Sequence, residues 1–191
     1  MRYHQFSMYT DLFLWTKGML IFFAFLILSC SSPSEDVAPS DDQDQMADDE
    51  ASAAAPEFEL MALDGNSIKL SDYKDKIVVL FFLGHSCPSC KAVAPNVEKD
   101  LNADYAGKTD YVILGLDTWD GNSSSMQSFK DITGITFPLL LNASGVAKDY
   151  NSVYDRFVVI NKSGRIVHNG SRAATNDLAT VKSKVDELLA K

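Results

Sequence analysis

Cys87 and Cys90 are separated only by Pro88 and Ser89, and two thiols at that spacing can do together what neither does alone. The nucleophile of sulfur chemistry is the thiolate, and a free thiol is only about 3% ionised at neutral pH. In "IVVLFFLGHSCPSC" the pair follows an apolar strand-like run, so a helix opening at Pro88 would aim unpaired N–H groups and its positive dipole end at the Cys87 sulfur. That field is worth up to about 2 kcal/mol, enough to raise the thiolate fraction to around half. Cys90, one turn on, shares the helix face and lies within bonding reach. It can resolve a mixed disulfide formed at Cys87 by attack within the chain. Pro88 suits a first helical turn, where no N–H needs a partner. The competing readings are two inert buried cysteines or half of a metal site. A closed zinc site needs four ligands, and there is no second C-x-x-C to supply them.

Four further residues are candidates to modulate these thiols. An imidazolium at His85 would favour the Cys87 thiolate; otherwise His85 is a partly exposed loop residue. Arg156 could stabilise the same thiolate, or pair on the surface with its neighbour Asp155. Trp119, in "DTWDGN", follows a strand end and would touch substrate or simply pack.

These residues need elements to position them. "FELMALDG" reads as a strand closed by an Asp-Gly turn, with a second short strand in "SIKL". The seven apolar residues 77–83 suit a strand buried on both faces, and 111–116 ("YVILGL") suit another. Between them, 88–105 should be helical, with Val93, Val97 and Leu101 spaced by four and a kink at Pro95. A serine-capped helix is expected over 123–132, ending at Gly134. Strands are expected at 137–141 and 157–160, with a short helix over 145–150 between them. "NKSG" (161–164) should turn into a hairpin strand at 165–168, and an amphipathic helix should start near Asn176. Alternating strands and helices, then a hairpin and a closing helix, specify an α/β fold: a central mixed β-sheet with helices on both faces.

The net charge of −9 is local. Residues 31–55 hold eight acids and no Lys or Arg, whereas 56–191 hold 17 acids and 15 bases. No basic stripe exists for nucleic acid. The segment lacks large apolar residues and reads as a disordered acidic tether, 30–55, of roughly 25–30 Å reach. Before it, the 11 apolar residues 18–28 behind Lys17 are too short for an ordinary membrane span and read as a signal peptide, 1–29. "ILSC" resembles a bacterial lipoprotein box, which implies lipidation of Cys30 and an anchored, periplasm-facing protein; Ser31 favours the outer membrane.

"IVVLFFLGHSCPSCKAVAP", with "LDGNSIKLSDYKDK" before it, resembles the extracytoplasmic thioredoxin-like proteins of the TlpA/ResA and AhpC/TSA-redoxin superfamily. The resemblance extends over nearly all of 56–191. It implies a thioredoxin-like fold and dithiol–disulfide exchange, with Cys87 attacking and Cys90 resolving. The implied partners are exported proteins with disulfides or thiols and a redox donor, with no metal or organic cofactor; a monomer is expected. The sequence departs from the family at three places. Ser86 stands where Trp usually precedes the first cysteine, Val93 replaces an acid three after the second, and Asp155 occupies the place of the cis-proline before a strand.

Two alternatives stay open. A peroxiredoxin-like peroxide reductase would use Cys87, but the Thr or Ser three residues before it and the Pro seven before it are here Gly84 and Leu80. Arg156 could supply that family's distant arginine. A copper-handling module would add His85 or His168 to the two soft thiolates, although such modules usually space their cysteines by three residues.

Overall fold

The computed structural model describes residues 52–191. Cys30, the leader and nearly all of the tether lie outside the described residues. A two-stranded hairpin, β1 (Glu59–Met61) and β2 (Ser67–Lys69), opens the domain. Then follow β3 (Ile77–Leu83), α1 (Pro88–Val97), β4 (Tyr111–Asp117), α2 (Ser123–Thr133) and β5 (Leu139–Leu140). The chain ends with α3 (Ser144–Asp149), β6 (Arg156–Ile160), β7 (Ile166–Asn169) and α4 (Ala174–Leu189).

The main sheet runs β5-β4-β3-β6-β7. β3, β4 and β5 are parallel, and β6 and β7 are antiparallel to their neighbours. β3 is its centre, and every one of its residues is buried. Strand alternation explains the continuous apolar run. Ile77, Val79, Phe81 and Leu83 meet α1, α2 and α4 on one face, and the two cysteines belong to that core. Val78, Leu80 and Phe82 meet Phe58, Leu70 and the α3 residues Val146 and Ala147 on the other. Each fully buried Phe or Leu here contributes about 1.5–3 kcal/mol. The fold is therefore the expected mixed sheet covered by helices on both faces.

Local departures from the expected elements have identifiable causes. The helix after the cysteines is α-helical only to Val97 and widens to a π-helical turn over Glu98–Ala103. Pro95 lacks the N–H that would bind the carbonyl of Lys91 and its ring crowds that carbonyl, so the ladder adjusts downstream rather than breaking. The cap of α2 is Asn122, whose side chain accepts from the Ser125 N–H at 2.9 Å, not a serine. Its end at Gly134, with φ 71°, is as expected. β5 keeps only two residues, because Pro138 has no N–H to give to a ladder. α4 starts two residues early, at Ala174, because the Asp155 carboxylate accepts the Ala174 N–H at 3.1 Å.

Candidate active site

The carboxyl ends of β3 and β4 lie side by side, with Leu83 opposite Asp117 in the parallel register. From that edge the chain turns once before α1 begins. The Cys87 N–H donates to the Gly84 carbonyl at 2.9 Å, closing a turn over 84–87, and the Cys87 carbonyl takes the Lys91 N–H at 3.1 Å as the first helical bond. Cys87 is thus the N-cap of α1, in extended backbone geometry, with Pro88 in the first turn as the sequence implies. Its sulfur accepts the Cys90 N–H at 3.1 Å and lies 3.2 Å from the Ser89 hydroxyl. Cys87 and Cys90 are joined as a disulfide with their Cα atoms 5.3 Å apart. Cys87 is 1% exposed and Cys90 is fully buried, so apolar neighbours and one helix end set the surroundings of both sulfurs. When the bond is reduced, charge on Cys87 would meet the same N–H and the same dipole end.

His85 is the second residue of that turn, and its partner comes from the neighbouring strand. Asp117 is fully buried at the last position of β4. Its carboxylate accepts the N–H groups of His85 (3.2 Å), Trp119 (3.3 Å) and Gly121 (2.7 Å), and faces His85 Nδ1 at 3.2 Å. Trp119 is 40% exposed. It meets His85 edge-on with ring centroids 6.0 Å apart and Tyr154 edge-on at 4.8 Å. The Arg172 guanidinium lies over the Tyr154 ring, 4.5 Å from its centroid. The structure therefore brings His85 and Trp119 together next to the cysteines, through an acid that the sequence reading did not single out. The available signal was a carboxylate closing an otherwise apolar strand in "YVILGLD".

The remaining candidates separate. Asp155 is buried immediately before β6, with φ 62°. Its N–H donates to the Phe82 carbonyl at 2.7 Å and its side chain caps α4. Arg156 begins β6 on the opposite sheet face to Phe157, which packs with the cysteines; its guanidinium donates to the Asn151 carbonyl at 3.1 Å. The structure thus brings Arg156 neither to the thiols nor to Asp155. His168 pairs with Val159 on β7, the edge strand, and its Nε2 lies 2.9 Å from Asp177 of α4. That edge is two strands from β3, after which the cysteines follow. Among the described residues no group of three or more His, Cys, Asp or Glu is placed to hold a metal ion.

A parallel-centred α/β sheet with a disulfide at the N-terminus of the first helix defines a thioredoxin-like thiol–disulfide oxidoreductase. The chain belongs to the AhpC/TSA family, whose model matches residues 51–169. Among curated relatives, thioredoxin-like protein YneN of Bacillus subtilis is 32% identical over 120 residues, 61% of this chain and 70% of that protein. Thiol-disulfide oxidoreductase ResA of Oceanobacillus iheyensis is 35% identical over 101 residues, but the match spans half of each chain. Peroxiredoxin Bcp of Bacillus subtilis is 26% identical over 138 residues, 64% of this chain and 85% of that protein. The fold matches the thioredoxin domain of the thiol-disulfide oxidoreductase BVU-2223 from Bacteroides vulgatus, with a TM-score of 0.59 at 24% identity, covering 70% and 96% of the two chains.

Proposed function

We propose that the protein exchanges disulfides with exported proteins from a membrane-tethered position outside the cytoplasm. The Cys87 thiolate attacks one sulfur of a partner disulfide. A new S–S bond forms at Cys87, and the other partner sulfur leaves with the electron pair of the broken bond. The Cys90 thiol then loses its proton and attacks Cys87, expelling the second partner sulfur and closing the Cys87–Cys90 bond. Two electrons pass from the dithiol to the partner, and a donor dithiol returns them; no cofactor enters. The observation that carries this reading is the Cys87 sulfur, seated as the helix N-cap, accepting the Cys90 N–H and bonded to Cys90. A thiolate there has a donor, a dipole and a resolving partner at once.

The tether rests on the sequence. Cys30 follows "ILS" after a short apolar run, and the acidic stretch behind it would hold the domain off an anionic bilayer. Among the described residues no helix is long and apolar enough to cross a membrane.

Cys90→Ser tests the exchange. It should trap protein partners in mixed disulfides at Cys87 and consume peroxide only slowly. Rapid formation of a sulfenic acid at Cys87 with peroxide turnover would put a peroxidase in its place. Incorporation of a labelled fatty acid that disappears in Cys30→Ala tests the anchor, and no incorporation removes it.

A further inference from the structure

We infer that His85 donates the proton taken up by the thiol that leaves a substrate disulfide, with Asp117 as the positioning residue that fixes its ring. This assignment rests on the exchange reading of Cys87. A carboxylate buried at the end of an apolar strand is costly unless its oxygens are satisfied. Asp117 is satisfied by three backbone N–H groups and the His85 ring. An ionised carboxylate can only accept, so Nδ1 of His85 carries the hydrogen and Nε2 becomes the working nitrogen on the far side of the ring.

The ring is held as well as polarised. A Cβ built on Gly121 would overlap His85 Nδ1 and lie 2.8 Å from Asp117 Oδ2, so the bare backbone there makes the imidazole's room. Trp119 closes another side, edge-on. The His85 side chain keeps 21% exposure, so the imidazole is partly open to solvent rather than enclosed in the core.

His85 is not placed as a base for Cys87, whose sulfur has the Cys90 N–H and the Ser89 hydroxyl as its partners. Its place fits the other end of the reaction. In an in-line displacement the departing sulfur lies two S–S lengths from the attacking one, at least about 4 Å beyond Cys87. His85 stands two residues from Cys87 in a closed four-residue turn, whose end Cα atoms lie within about 7 Å of each other. The step balances: the Cys87 thiolate bonds the near sulfur and the substrate S–S bond breaks. Its electron pair goes to the far sulfur, and the proton on imidazolium Nε2 follows. Neutral His85 is reprotonated from water.

The test is leaving-group dependence, because an acid helps only a sulfur basic enough to need a proton. In the full-length Cys90→Ser protein, the rate of mixed-disulfide formation is measured with dithiodipyridine, whose thiol leaves readily, and with hydroxyethyl disulfide, whose alkyl thiol does not. His85→Gln should raise the ratio of the two rates about ten-fold or more, by slowing the dialkyl reaction. Asp117→Asn should raise it in the same sense. A purely structural role would slow both reactions alike. An unchanged ratio in a folded His85→Gln protein overturns the assignment alone, whatever Asp117→Asn does. If Cys90→Ser reacts with neither disulfide, the exchange reading falls and takes the assignment with it.

Discussion

The indole of Trp119 rests on the backbone of Gly84: a Cβ built there would lie 2.5 Å from Trp119 Cδ2 and 2.6 Å from Cε2. The family resemblance leads one to expect a tryptophan directly before Cys87, where this chain has Ser86. Here the turn after β4 delivers an indole instead, and Gly84 makes its approach possible.

Gly84→Ala should therefore force the indole off the turn that leads to Cys87. Overpacking of this kind costs about 1–3 kcal/mol. Urea denaturation should show that loss, together with a changed near-ultraviolet signal from the displaced indole. An alanine variant with wild-type stability and spectrum would mean that Trp119 does not rest on Gly84.

Asp155 explains how the fold manages without the family's proline before β6. Its φ of 62° lies far from the angle a proline ring imposes, and its N–H is used by Phe82. Asp155→Pro should then destabilise the protein by about 3 kcal/mol or more rather than restore a family feature. Asp155→Ala should cost about 1–2 kcal/mol through the lost cap on α4, with Asp155→Asn milder because asparagine still accepts a hydrogen bond and tolerates positive φ. Denaturant midpoints of the three variants check this order. A proline variant as stable as wild type would contradict it.

Much of this architecture can be read from local pattern. A strand buried on both faces announces itself as seven apolar residues, and Cys87 and Cys90 declare their chemistry by spacing and by following it. The partnership of His85 with Asp117 is different, because the two are 32 positions apart with a crossover helix between them. It exists only once the parallel register sets Leu83 opposite Asp117. Arg156 shows the converse. It is close in sequence to Phe157, which packs with the thiols, but strand alternation sends the two side chains to opposite faces. The guanidinium that the sequence offered to the Cys87 thiolate instead donates to the Asn151 carbonyl.

Glu98 ties the π-helical turn to the segment before β5. Burial pushes its carboxyl up, but the N–H and hydroxyl of Thr136 and the Asn102 amide outweigh this and hold it below its usual value. Because the folded value is depressed, the unfolded chain takes up the proton first as pH falls. The stabilisation is present above about pH 4.5 and is lost below it. Glu98→Gln should lose stability at neutral pH and show a shallower decline than wild type between about pH 6 and about pH 3. Parallel pH profiles of wild type and variant would argue against the linkage.

The central claim is that Cys87, seated at the start of α1, is the attacking thiol and Cys90 the resolving one. Reduced protein treated with limiting iodoacetamide at neutral pH, then mapped by peptide mass spectrometry, tests it directly. The account predicts that Cys87 is alkylated at least about ten times faster than Cys90, because only the first sulfur sits at the N-cap, where the helix's free N–H groups and dipole favour its thiolate. Equal labelling of the two, or faster labelling of Cys90, would contradict it.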